Sequence, residues 1–346
     1  MRINLERVDL STTTCNPSAV TREQLERHQV WIYLTAIMLG LGLGSIAMQI
    51  APVFEAVLWP VLGLLLYATF TQVPLGQLPE AFRDRRFMSA ILIGNFVIIP
   101  LVVWALLALL PADPAIRLGV LLVLLVPCTD WYITFTHLAG GDTRRAIVAT
   151  PVNLLVQLCL LPAYLWLFMG DAFWELLAAK RIALVFGTLI ILPLLAAWLT
   201  ERWAEGQEGS GNTSTFVARL GWLPVPLLAL VVFLIAASQV QAVASALPVL
   251  GQVLAVFVIF LVAAVVVGLA LTHLLKLATG SARALVFSLG TRNSFVVLPL
   301  ALALAPQWQI ATVVIVFQSL VELFGMVVYL WLVPKVLPTS QPTSSG

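Results

Sequence analysis

Val120-Leu-Leu-Val-Leu-Leu-Val126 runs straight into Pro127-Cys128-Thr129-Asp130, and much later in the chain Gly290-Thr291-Arg292-Asn293-Ser294 runs into Phe295-Val-Val-Leu-Pro299. Each stretch sets a helix breaker and a polar cluster in the middle of an otherwise apolar run. Backbone groups freed at membrane depth must face protein or a watery cavity. Transporters build their sites from discontinuous helices of this kind. These two stretches therefore decide both the fold and the place to look for a site.

The surrounding chain is built for lipid. Of 346 residues, 61% are apolar and 10% charged, and the mean hydropathy is +1.03. Soluble domains carry about 45–50% apolar and roughly 25% charged residues. A soluble enzyme, a nucleic-acid binder and a disordered scaffold are excluded. One crossing takes about 20 apolar residues, and ten apolar segments are found at roughly 31–50, 53–73, 87–110, 115–139, 146–169, 182–200, 222–240, 247–275, 284–305 and 308–333. Breaks between them carry Pro, Gly or charge, as in Arg83-Asp84-Arg85-Arg86, Pro111-Ala-Asp-Pro114 and Gly140-Gly-Asp-Thr-Arg-Arg145. Thr21-Arg-Glu-Gln24 reads as a capping box leading into the first segment. Nothing in the first 29 residues has the basic-then-apolar layout of a cleavable signal peptide.

Orientation follows from the cations. With the N-terminus inside, Arg22, Arg27, Arg83, Arg85, Arg86, Arg144, Arg145, Arg202, Arg219, Lys276, Arg283 and Lys335 fall in the cytoplasm, and only Arg117, Lys180 and Arg181 lie near outer ends. Both termini are expected in the cytoplasm, with the chain in the inner (plasma) membrane. The fold expected is an all-α polytopic membrane protein of ten transmembrane helices, arranged as two inverted five-helix repeats. Helices four and nine would be discontinuous and crossed. The divisions are 1–30 (cytoplasmic tail), 31–170 (first repeat), 171–200 (sixth helix, opening the second repeat), 201–219 (cytoplasmic loop), 220–334 (rest of the second repeat) and 335–346 (cytoplasmic tail). One five-helix set is expected to act as a panel against the site.

Asp130 and Arg292 are the charges nearest the expected midplane. A charge there costs at least about 2.5–3.5 kcal/mol on insertion scales, so it is rare and usually functional. The two form either a structural ion pair locking the crossing, or a proton site in which Asp130 titrates and Arg292 is its counter-charge. Cys128 follows Pro127 at an expected half-helix N-terminus, where the helix dipole favours a thiolate; the alternative is a small apolar filler. Cys159, between Leu158 and Leu160, reads as filler, and Cys15 lies in the polar tail. Glu322 falls four residues after Gln318 in the tenth segment, on one helix face. Asn153 and Gln157 repeat that spacing in the fifth, and Asn95 lies in the third. These amides read as interhelical hydrogen-bonding groups or as lining of a site. His137 and His273 are placed at membrane interfaces. Gly40-Leu-Gly42-Leu-Gly44 reads as close helix packing rather than a nucleotide loop. No Walker, HExxH or GxSxG sequence is present, so an ATP-driven pump or an intramembrane protease has no support. The three cysteines lack zinc spacing, and no cofactor and no metal site are expected.

At Arg117-x-Gly119, Val126-Pro127-Cys128-Thr129 and Leu138-Ala139-x-Gly141-Asp142 the sequence resembles the arsenite efflux permease family, part of the superfamily of bile acid:sodium symporters. The likeness continues through Asn153-x-x-x-Gln157 and Leu320-Val321-Glu322. It implies export of trivalent arsenic, antimonite included, driven by the proton gradient. It also carries an essential thiol onto Cys128 and a tenth-helix carboxylate onto Glu322. Where members of that family show an Asn-Asn-Phe-Glu-like run, this chain has Asn293-Ser294-Phe295-Val296, preceded by Arg292, and an acid stands instead at Asp130. Soft thiolate suits a thiophilic ion, and a single thiol binds loosely enough to release its cargo.

The expected function is secondary transport by alternating access. Cys128, Thr129, Arg292, Asn293 and Ser294 would contact the solute, Asp130 and Glu322 would carry protons, and Asn95, Asn153, Gln157 and Gln318 would support them. Sodium coupling fits less well, because a fixed cation repels Na+ unless Asp130 offsets it. An organic-anion symporter with Arg292 reading a carboxylate is the alternative, and a non-transporting sensor the third reading. The partners are a small solute, a proton or sodium ion and the bilayer, with no nucleic acid.

Overall fold

The computed structural model describes residues 22–73, 76, 78–170, 184–205 and 219–338. Cys15, Thr21 of the capping box, Lys180, Arg181, most of the 201–219 loop and the tail beyond 338 lie outside the described residues.

Every described regular element is helical, and each of the ten apolar segments falls on helix. The first three are α1 (Arg22–Ile46), α2 (Ala51–Phe70) and α3 (Arg85–Leu109). The fourth is two half-helices, α4 (Pro114–Leu124) and α5 (Trp131–Leu138). Next come α6 (Thr143–Met169), α7 (Leu192–Glu205, preceded by a π-turn over Phe186–Ile191), α8 (Pro224–Ser238) and α9 (Val240–Leu275). The ninth segment is again two pieces, α10 (Thr279–Gly290) and α11 (Ser294–Leu302), and α12 (Gln309–Val336) is the tenth. Five of these elements are long and apolar enough to cross a membrane, with α4, α8 and the Trp31–Ile46 part of α1 shorter. Asp113 caps α4 by accepting from Ala115 N and Ile116 N, with Pro114 in the first turn, where its missing N–H costs nothing. Outward faces carry apolar side chains such as Leu101, Val262, Val266 and Trp331, as a chain solvated by lipid requires.

Two expectations are corrected. α9 begins at Val240, with Gln239 alone between it and the end of α8, so no loop longer than that residue separates segments seven and eight. Pro248 is accommodated inside α9 instead of starting it. Helices also do not group by sequence half. α1 packs on α8, α8 on α2 and α2 on α7, whereas α9 packs on α12, α12 on α4, and α10 on α5, α6 and α9. Each packing group therefore draws on both halves of the chain, because packing joins faces that lie far apart in sequence.

Small residues set the close contacts. Gly40 and Gly44 lie against the Phe233 and Ala237 carbonyls of α8, where any Cβ would sit under 3.0 Å from backbone. Gly42 faces open space. The glycine pattern is thus helix packing, carried by two of its three glycines. Gly119 holds α4 equally close to Ala311 of α12.

Arg283 is corrected as well. It lies inside α10 and is buried, not in a loop. Its Nη1 donates to the carbonyls of Ala139 (2.7 Å) and Gly140 (3.2 Å), while Nε and Nη2 donate to Leu337 O at 3.1 and 2.8 Å. One guanidinium thus closes the C-terminal ends of α5 and α12, where carbonyls lack helical partners and a cation is favoured. Beside it, Arg145 bonds Asp142 and Ser281 and pairs with Asp84. Arg283→Ala leaves three carbonyls without a donor and should cost roughly 2–5 kcal/mol. A thermal melt of the purified protein should show a clear drop in Tm; an unchanged melt contradicts this role.

Candidate functional site

The two breaks meet. Pro127 and Arg292 form an isolated antiparallel bridge. Cys128 N donates to Thr291 O at 3.1 Å, and Asn293 N donates to Val126 O at 2.8 Å. The backbone freed by each break is satisfied by the other, which is how non-helical chain persists at this depth.

Around the bridge lies one hydrogen-bonded network. Thr129 Oγ1 accepts from Asn293 Nδ2 at 3.0 Å, and Asn293 Oδ1 caps α11 by accepting from Val296 N. Ser294 Oγ donates to Gln318 Oε1 at 3.0 Å, and Gln318 Nε2 donates to Glu322 Oε2 at 2.7 Å. The same carboxylate oxygen accepts Arg292 N–H at 2.8 Å. Asn95 accepts from Arg292 Nη2 at 2.9 Å and donates to Ser288 Oγ at 3.0 Å. Seven of the expected site residues therefore share one buried cluster: Asn95, Thr129, Arg292, Asn293, Ser294, Gln318 and Glu322.

The expected pairing of Asp130 with Arg292 is not formed. Arg292 Nη1 donates to Leu124 O at 3.2 Å, and Nη2 to Asn95 Oδ1 and the carbonyls of Ser288 and Leu289. Asp130 is not among its partners. The side chain instead caps the C-terminal ends of α4 and α10, with the Phe260 ring 5.3 Å from the guanidinium carbon. Asp130 lines a narrow cavity of about 20 Å³ with Gln29, Trp131, Thr134, Gly221 and Pro224, room for about one water. At the opposite ends of α1 and α8 is a polar hollow lined by Gly44, Glu55, Ser238, Gln239, Gln241 and Gln309.

Cys128 is buried, and its sulfur accepts the Asp130 N–H at 3.5 Å, just before α5 starts. Glu322 and Asp130 both lie within electrostatic reach of it. Cys159 is exposed on the outer face of α6, and His137 and His273 are exposed.

Asn153 and Gln157 are fully buried, yet none of their four side-chain polar atoms has a partner among the described residues. They continue the α6 face of Ala146 and Thr150, which the Tyr132 hydroxyl touches. Glu322 Oε1 is also without a partner. Leaving polar atoms bare inside protein costs about 1–3 kcal/mol each, and each such group calls for a functional or structural account. Ser288, Phe260 and Tyr132 were not foreseen. Ser288 could have been, since it precedes Arg292 by one helical turn; the other two depend on tertiary packing alone.

The profile of the Sodium Bile acid symporter family matches residues 59–246, more than half the chain. The protein belongs to that family. That family is one of ion-coupled solute transporters rather than of enzymes. Arsenical-resistance protein Acr3 of Corynebacterium glutamicum is 26% identical over 139 residues, covering 39% of this chain and 35% of that protein. The similarity thus spans about a third of that relative's length.

The Glu322 carboxylate accepts two donors, so substitutions there are separable. Glu322→Gln keeps an acceptor for Arg292 N–H and should melt close to the parent. Glu322→Leu strands that N–H and the Gln318 amide and should cost roughly 2–5 kcal/mol. Equal melting of both variants contradicts the assignment.

Proposed function

We propose that the chain exports arsenite, and antimonite as a second cargo, in exchange for protons by alternating access. The observation that carries this reading is a buried thiol, Cys128, at the crossing of two broken helices, with Asp130 two residues on and Glu322 bonded to the other side of the crossing. The partial likeness to an arsenical-resistance protein supports it. Neutral As(OH)3 presents three hydroxyls, which suit the unpartnered amides of Asn153 and Gln157 and the oxygens of Thr129 and Ser294. The Cys128 thiol can replace one hydroxyl, forming an As–S bond and releasing water, with the thiol proton leaving in that water. A lone sulfur holds the cargo loosely, as release demands.

Glu322 suits proton exchange. Its Oε2 takes both donors and its Oε1 takes none, so a proton can settle on Oε1 without breaking a bond. Asp130 lines the cavity at the end of α1 and α8 that the cation distribution assigns to the cytoplasm, and it would pass the proton there. The polar hollow at the other end supplies the outer mouth. The panel of α1, α2, α7 and α8 would rock against the remaining helices. The antiparallel bridge between one residue of each half supports two inverted repeats, with both termini cytoplasmic in the inner membrane.

Organic-anion symport is the second reading, favoured by the family's description. It would require Arg292 to release carbonyls that occupy both terminal nitrogens. Radiolabelled arsenite uptake into everted vesicles decides between them. Acid-inside vesicles should accumulate arsenite without sodium, Cys128→Ser should abolish accumulation, and Cys159→Ser should retain it. Undiminished uptake by Cys128→Ser, or uptake driven by sodium alone, overturns the proposal.

A further inference from the structure

We infer that Arg292 is a tethered cation filling the seat a coupling cation would otherwise occupy, so that this transporter shuts Na+ out of its crossing by construction. The inference rests on the crossing being the transport site, but not on arsenite as the cargo.

The seat is defined by oxygens. Leu124 O ends α4, Ser288 O and Leu289 O end α10, and Asn95 Oδ1 reaches in from α3. Carbonyls at the C-terminal ends of broken helices, carrying the negative end of the dipole, are where such transporters hold Na+. Here these oxygens converge on one guanidinium. The Phe260 ring lies beside it, and the residue is 2% exposed. A second cation would meet the Arg292 charge at contact distance in a medium that screens poorly. Among the described residues no carboxylate bonds the guanidinium itself: Glu322, the acid within electrostatic reach of it, bonds the backbone N–H of Arg292 instead. A donor set of the kind that holds Na+ in transporters with broken helices is therefore spent on the protein's own side chain.

Removing the guanidinium leaves four convergent oxygens with no cation. Such a seat should take Na+, and a ligand that binds only the folded state raises its melting temperature. The experiment compares thermal melts of the full-length chain in detergent across NaCl and choline chloride at constant ionic strength. The parent and Arg292→Lys, whose ammonium still fills the seat, should melt alike in the two salts. Arg292→Gln and Arg292→Ala should melt lower in choline and recover by several degrees in NaCl, in a saturable manner. If those neutral variants aggregate in choline, NaCl should restore monodisperse protein. The inference is overturned by Na+-specific stabilisation of the parent, by neutral variants that respond alike to both salts, or by neutral variants that NaCl fails to rescue. The readout involves no cargo, so it stands or falls separately from the vesicle assay.

Discussion

A carbonyl at the end of a helix is a strong acceptor with no partner, and inside a membrane protein no bulk water is at hand to supply one. Breaking two helices at mid-depth creates several such carbonyls at once. This protein answers with two arginines nine residues apart, Arg283 inside α10 and Arg292 in the break just beyond its end. Arg283 closes the ends of α5 and α12, and Arg292 closes the ends of α4 and α10. Four chain ends are held by two guanidinium groups, whose planar forks suit several carbonyls at once. The rest of the site depends on that arrangement, because it fixes where the two breaks cross.

With Arg292 committed to carbonyls, the groups left for chemistry separate cleanly. The backbone bridge from Pro127 to Arg292 presents Cys128, Thr129 and Asp130 on one strand of the crossing and Asn293 and Ser294 on the other. Glu322 joins the second strand through Arg292 N–H, and Gln318 ties it to Ser294. Networks of this kind are rigid when every atom is satisfied. Within the cluster at the crossing, the unsatisfied side-chain atoms among the described residues are Arg292 Nε and Glu322 Oε1, while Asn153 and Gln157 on α6 carry four more.

Much of this could be read from the sequence, for local reasons. Pro127 and Gly290 interrupt apolar runs, and the polar residues after each one cannot sit in lipid, so both breaks and most of the cluster were foreseeable. The i, i+4 pairing of Gln318 with Glu322 was readable from helical periodicity and forms a bond. What could not be read is direction. Nothing local tells whether the Arg292 side chain points to Asp130 or to the carbonyls of α4, and the latter holds. Arg283 looked like a loop cation because the apolar run begins after it, whereas α10 starts four residues earlier. The grouping of α1, α2, α7 and α8 depends on contacts between distant segments, which leave no period in the chain.

The central claim is that Arg292 is bound to helix-end carbonyls where the two breaks cross. An experimental map of the full-length protein in lipid nanodiscs, at a resolution that shows side chains, tests it most directly. The account predicts continuous density from the guanidinium to the Leu124 and Leu289 carbonyls, with non-helical backbone at 125–130 and 291–293. A guanidinium paired with the Asp130 carboxylate, or either segment running through as an unbroken helix, would contradict it.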